Sequence, residues 1–489
     1  MNKFQKVQFL LFIIIITALL IGSCDQIPKN GSDPRSTSVL VNTIPPATLT
    51  AISEMSKPSQ TPVPEPMGLD WSSVEGIELE FWYVWDLDQP GIGMNAIVDR
   101  FNQENRWGIV IKPVDQGLVL DPLDSMEMAF EEGIVPHLLL SDASSTVSWY
   151  QGGLTVDLSP FQSDSIVGLT EKERDDYYSE IFDRFTIEES VRPGLPFTQT
   201  IQVIYYNQSW AEELGYSSPP KTGSELEKQA CFAAGDRELS TSSLTQPVGI
   251  LLSPEAANVV SAIYAYEGNF LDPEAGGYLF STPEIQQVAE DWQDLLRQDC
   301  GMTLYTYPDP MYSELAVEYF NQRKVMMMTG SSQMMDYVST EANQTGRADE
   351  WLMLPFMGPE GNKAVSSEIQ SVVIFNTSPE EELASWLFAK YLTSPEAQAE
   401  WAMYSRYYPT RKSSLRLLRD FRTENPHWSQ GLNLLKYSIG MPLDPSWNTV
   451  KLSVGDAFEE ILINGTLNVE EQLAILDQLA VELWEYTQE

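Results

Sequence analysis

The 489-residue chain reads as an α/β protein built on a parallel, doubly wound sheet. Three observations carry that reading. Short runs of β-branched and aromatic residues alternate with stretches in which apolar residues recur at helical spacing. These patterns follow one another in the order β-α-β-α-β at the start of the body. Apolar residues make up 43 % of the chain and aromatics 11 %, which supports a large core despite a net charge of −41.

The elements follow in order from Ile77. Residues 78–84 (ELEFWYV) form a first strand and run into the loop Trp85–Gly91. Met94, Ile97, Val98 and Phe101 then share one helical face. Residues 108–114 form a second strand, a helical stretch surrounds Leu123–Phe130, and residues 135–140 form a third strand that ends in Ser141-Asp142-Ala143-Ser144-Ser145. Ligands of such sheets bind beyond the carboxyl ends of the strands, so the loops at Trp85–Pro90 and Asp142–Ser145 are the places to look. Asp86 and Asp142 equally suit helix caps there. No glycine-rich phosphate loop follows any of these strands; Gly91-Ile92-Gly93 lacks the third glycine. Four helix starts share one device, a hydroxyl, a proline and a glutamate: Ser253-Pro254-Glu255, Thr282-Pro283-Glu284, Ser378-Pro379-Glu380 and Ser394-Pro395-Glu396.

The amino terminus is separate in kind. Lys3 and Lys6 precede an apolar run from Phe9 to Ile21, too short to span a bilayer and of the right length for a signal-peptide core. Ile21-Gly22-Ser23-Cys24 resembles a lipobox, in which Cys24 carries the lipid; the alternatives are an ordinary signal peptide or an uncleaved anchor. Residues 25–76 are rich in Pro, Ser and Thr without periodicity, and read as a tether.

Composition excludes several chemistries. With 29 Lys and Arg against 70 Asp and Glu, nucleic acid is not an expected partner. The two histidines, His137 and His427, argue against a histidine metal site, and no HExxH or Gly-x-Ser-x-Gly motif is present. No metal, no cofactor and no catalytic residue is expected. Cys231 and Cys300 form an even pair outside the cytoplasm, either a disulfide or two buried thiols.

Ten short segments in order resemble the bacterial extracellular solute-binding proteins of ABC importers, in the maltose-binding-like, sugar-type group. Among them are Phe101-Asn102-Gln103-Glu104-Asn105, Pro136 through Asp142 with His137 where Asp is usual, Leu195-Pro196-Phe197, Tyr205-Tyr206-Asn207, Pro219-Pro220-Lys221-Thr222, Gly268-Asn269-Phe270, Leu354-Pro355-Phe356 and Tyr408-Pro409-Thr410-Arg411. Glu267 stands where the family often has a second glycine, and Asn321–Val325 replaces its small G-x-A-A run. The resemblance implies a two-lobed periplasmic-binding-protein-like fold. The expected division is residues 77–196 with 326–367 for one lobe, and 197–325 with 368–489 for the other. The chain would cross near Leu195–Gln199, Tyr319–Met326 and Glu368. It further implies a monomeric receptor on the outer face of the cytoplasmic membrane, lipid-anchored, that hands a small solute to ABC permease subunits. A lipid-anchored glycoside hydrolase, or a surface sensor without transport, is the alternative.

A sugar presents apolar C–H faces and a rim of hydroxyls, which aromatic rings and planar hydrogen-bonding groups match. Trp85, Asp86, Asp142, Ser144 and Gln199 supply such groups. By resemblance Glu368, Tyr408 and Trp447 join them as expected ligand contacts.

Overall fold

A computed structural model describes residues 69–85, 89–115, 134–235, 247–272, 277–304, 309–339 and 349–488. Cys24, the tether up to residue 68, Asp86 and the helix expected around Leu123–Phe130 lie outside the described residues.

The opening strands form as expected. Strand Glu78–Tyr83 pairs in parallel with Val110–Asp115 on one side and Leu138–Ser141 on the other. Between them helix Gln89–Glu104 buries Met94, Ile97, Val98 and Phe101, the apolar face that its spacing dictates. The sheet continues from these strands through Lys363–Ile374, Leu195–Asn207, Val325–Ser331, Val248–Leu251 and Gly301–Met302.

Two of these strands are long and cross the molecule. Leu195–Asn207 is buried at all thirteen positions. Its first half pairs with Lys363–Ile374, and its second half pairs with Val325–Ser331 and Trp351–Leu354. Lys363–Ile374 in turn reaches Leu138–Ser141 at its far end. Both strands are therefore shared between two separately packed bodies.

The first body packs the opening strands against Leu383–Leu392, Trp401 and Tyr407. The second packs helices Ala256–Ala265, Pro283–Arg297, Trp447–Ile463 and Val469–Gln488 around Val248–Leu251 and Met326–Met327. Val325–Ser331 pairs with Val248–Leu251 inside the second body, and helix Pro379–Leu392 packs in the first. Tyr319–Met326 runs from the end of helix Asp309–Asn321 into strand Val325–Ser331. Tyr408–Pro409 then pairs with Thr198 and Gln199, and Ser438–Gly440 with Val365–Ser367.

Three of the four helix starts behave as read. Thr282, Ser378 and Ser394 cap their helices, and Ser378 with Glu381 completes a capping box. Ser253 does not cap. Its amide donates to Thr329 Oγ1 at 2.8 Å, and the helix starts at Ala256 instead. Both departures from the family pattern keep a glycine-like backbone: Glu267 has φ 62° and Arg323 φ 54°. Cys231 and Cys300 are joined by a disulfide, with Cα atoms 4.4 Å apart. His137 lies between Glu80 and Phe375 in the sheet, bonded to both through its backbone, and its Nδ1 accepts from the Glu80 amide at 3.0 Å.

Candidate functional site

Asp142 ends the third strand and caps helix Ala143–Gln151. Its carboxylate accepts from the Ser145 amide at 2.9 Å, Ser145 Oγ at 2.8 Å and Ser144 Oγ at 2.9 Å. Burial alone would raise its pKa, but Lys451 and the serine donors more than offset that and hold the carboxyl below its ordinary value. Ser144 is buried, and its Oγ lies 2.6 Å from the Asn448 carboxamide of the second body. Asp142 already takes both serine protons. The Asn448 orientation that satisfies every group therefore turns its NH₂ toward Ser144.

A second polar zone lies along the crossing strands. Gln199 is buried; its Nε2 donates to Pro409 O at 3.5 Å and its Oε1 accepts from Ser367 Oγ at 3.3 Å. Thr200 Oγ1 is 3.0 Å from both Ser331 Oγ and Ser332 Oγ. Glu368 is exposed and stands opposite Thr200 in the ladder.

Sequence reading missed four amide side chains here. Gln202 Oε1, Asn258 Oδ1, Gln333 Nε2 and Gln370 Oε1 are buried without a hydrogen-bond partner. Gln202 faces Ser331 across the ladder, Gln333 follows two residues later, and Gln370 faces Thr198. Asn258 lies in the first turn of the helix whose Ala257 carbonyl accepts from Ser366 Oγ at 2.7 Å. The available signal was the run Thr198-Gln199-Thr200-Ile201-Gln202, four polar side chains inside a buried strand. Unpaired buried amides are costly and call for a specific explanation.

The three aromatic candidates, Trp85, Tyr408 and Trp447, are buried. Trp85 packs against Trp401 at 4.4 Å and Tyr407 at 5.7 Å in the first core. Trp447 stacks on Phe270 at 5.4 Å in the second. Tyr408 pairs with Gln199, lies 5.3 Å from Trp428 and presses its hydroxyl against Gly431, where an added Cβ would stand 1.9 Å away. Their rings pack against aromatic neighbours in the cores.

Two crossing strands, two packed bodies and a polar seam between them are the geometry of a hinged binding protein. A family model described as bacterial extracellular solute-binding protein matches residues 96–429. The chain belongs to that family. Among solved structures, this solute-binding protein is similar to the GacH receptor of Streptomyces glaucescens, at 14 % identity over 83 % of this chain and 98 % of that one, TM-score 0.69. It is likewise similar to a cyclic α-maltosyl-1,6-maltose binding protein from Arthrobacter globiformis, at 17 % identity over 84 % and 99 %, TM-score 0.68. A third is UgpB from Mycobacterium tuberculosis in complex with glycerophosphocholine, at 14 % identity over 84 % and 99 %, TM-score 0.69. Identities this low establish the shared fold. No curated protein matches the sequence. No helix among the described residues is long and apolar enough to cross a membrane.

Proposed function

We propose that this solute-binding protein is a membrane-anchored receptor that takes a sugar or oligosaccharide between its lobes and delivers it to an ABC permease. The observation that carries the ligand class is the row of Gln202, Gln370 and the exposed Glu368 along one face of the crossing strands, the two amides each with an unpartnered buried oxygen. Planar amides and a carboxylate match the donor–acceptor rim of a sugar ring, and a bound hydroxyl would satisfy each orphan atom. The acarbose complexes of GacH and the maltosyl ligand of the Arthrobacter protein support the same class.

The lobes we assign are residues 77–196 with 371–407, and 197–370 with 408–488, hinged on the two crossing strands. The lipid on Cys24 and the tether 25–76 would hold a monomer at the outer face of the membrane. Replacement of Cys24 by Ser should release the protein from the cell, and mass spectrometry of the wild type should find a lipid at that residue.

Thermal shift of the full chain against maltose, maltotriose, tagatose and glycerophosphocholine tests the ligand class. A true ligand at 100 times its Kd should add about 2.7 kcal/mol of stability. A shift with glycerophosphocholine and none with any sugar would overturn the sugar reading. Release of a cleaved product from maltotriose would favour a hydrolase instead.

A further inference from the structure

Residues 440–451 of the second lobe meet the first lobe at several points, in addition to the pairs Asp176–Arg411 and Asp336–Arg406. Arg184, from the 3₁₀ turn Asp183–Phe185 of the first lobe, donates to the Met441 carbonyl. Its guanidinium lies flat on Gly440, where a Cβ would come within 2.7 Å of Cζ. Two residues on, Leu443 packs against a small apolar cluster of Ala143, Ile181, Phe185 and Ile369. At Asn448 the contact becomes polar, with Ser144 Oγ 2.6 Å and Ser145 Oγ 3.3 Å away. One helical turn further, Lys451 faces the charge of Asp142.

These contacts have a common design. The first-lobe partners are held rigidly, since Asp142 is fixed by three hydrogen bonds and Ser144 is buried. The second-lobe partners lie within twelve residues of chain, from Gly440 to Lys451. Each contact runs directly between protein groups of the two lobes.

We propose that residues 440–451 form a latch that holds the lobes together independently of solute, with Asn448 and Lys451 closing on Asp142 and Ser144. Asp142 and Ser144 then act in lobe closure; they are not ligand contacts. This inference rests on the hinged-receptor reading above. A latch raises the fraction of molecules already in the closed form, and apparent affinity scales with that fraction. Losing one hydrogen bond to a charged network should therefore weaken solute binding by about tenfold.

The test is a distance measurement across the cleft. Spin labels go on Lys172→Cys in the first lobe and Lys228→Cys in the second, both exposed, in the full chain with Cys24→Ser. Asn448→Ala and Lys451→Met are compared with the parent without solute, then with maltotriose and with glycerophosphocholine. The expected result is a shift of both variants to longer distance without solute, reversed by the solute that binds. Variants at the parent's distance without solute would overturn the latch. If added solute still shortened the distance in that case, the receptor reading would stand. Longer distances in the variants that no probe reverses would keep the latch and count against the ligand class.

Discussion

Arg323 and Asp349 form a bidentate pair, Nε to Oδ2 at 2.6 Å and Nη2 to Oδ1 at 2.7 Å, with the arginine side chain only 1 % exposed. Glu213 grips the other edge of the guanidinium at 2.6 Å, and Asn207 Nδ2 donates to Asp349 at 2.8 Å. The end of one crossing strand, the helix after it and the entry to strand Trp351–Leu354 thus meet on a single buried cation.

That cation sets the first prediction. Asp349→Asn leaves the guanidinium buried with one half-exposed partner, and should cost about 3 kcal/mol in urea unfolding. The double change Arg323→Met with Asp349→Leu removes both buried charges and should cost less than Asp349→Asn. The reverse order would show that the pair itself, more than relief of a buried charge, holds this corner.

The disulfide gives the second. Cys231 and Cys300 are 69 residues apart, and in the chain-entropy model a loop of that size contributes on the order of 4 kcal/mol. Replacing both by Ser should lower the urea midpoint markedly without changing which solute binds. An unchanged midpoint would mean that the unfolded chain is little constrained by the bridge.

A third prediction concerns pH. Burial pushes the Glu382 carboxyl up to about 7; the Thr377 amide opposes this and neighbouring Glu381 adds to it. The folded state therefore binds this proton more tightly than the unfolded chain, whose carboxyl titrates near 4.5. The contribution to stability is fully present below that value and is lost as pH rises through about 7. Melting temperatures at pH 5 and pH 8 should differ by less in Glu382→Gln than in the parent. Glu381 is shifted downward and titrates below this window, so it does not blur the comparison.

The orphan amides supply a fourth. Gln202→Leu removes a buried polar atom that has no partner, so folding stability should hold or rise by about 1 kcal/mol. Solute affinity should nevertheless fall. Calorimetric titration beside thermal melting separates the two effects, and unaltered affinity would remove Gln202 from the site.

By itself the sequence determined the α/β class, the first three strands, the apolar face of helix Gln89–Glu104 and three of four helix caps. It also singled out Cys231 and Cys300 as a pair. The class, strands and caps depend on residues within a few positions of one another, where periodicity, capping and proline act directly. Only the tertiary structure decided that Ser144 meets Asn448, 304 residues along the chain. It alone put Trp85, Tyr408 and Trp447 into cores, because an aromatic residue looks the same in sequence whether its face meets a sugar or another ring. The pairing of strands Val325–Ser331 and Lys363–Ile374 with partners far away in sequence was decided the same way. Such pairing is chosen by burial of the whole sheet, and no local pattern encodes it.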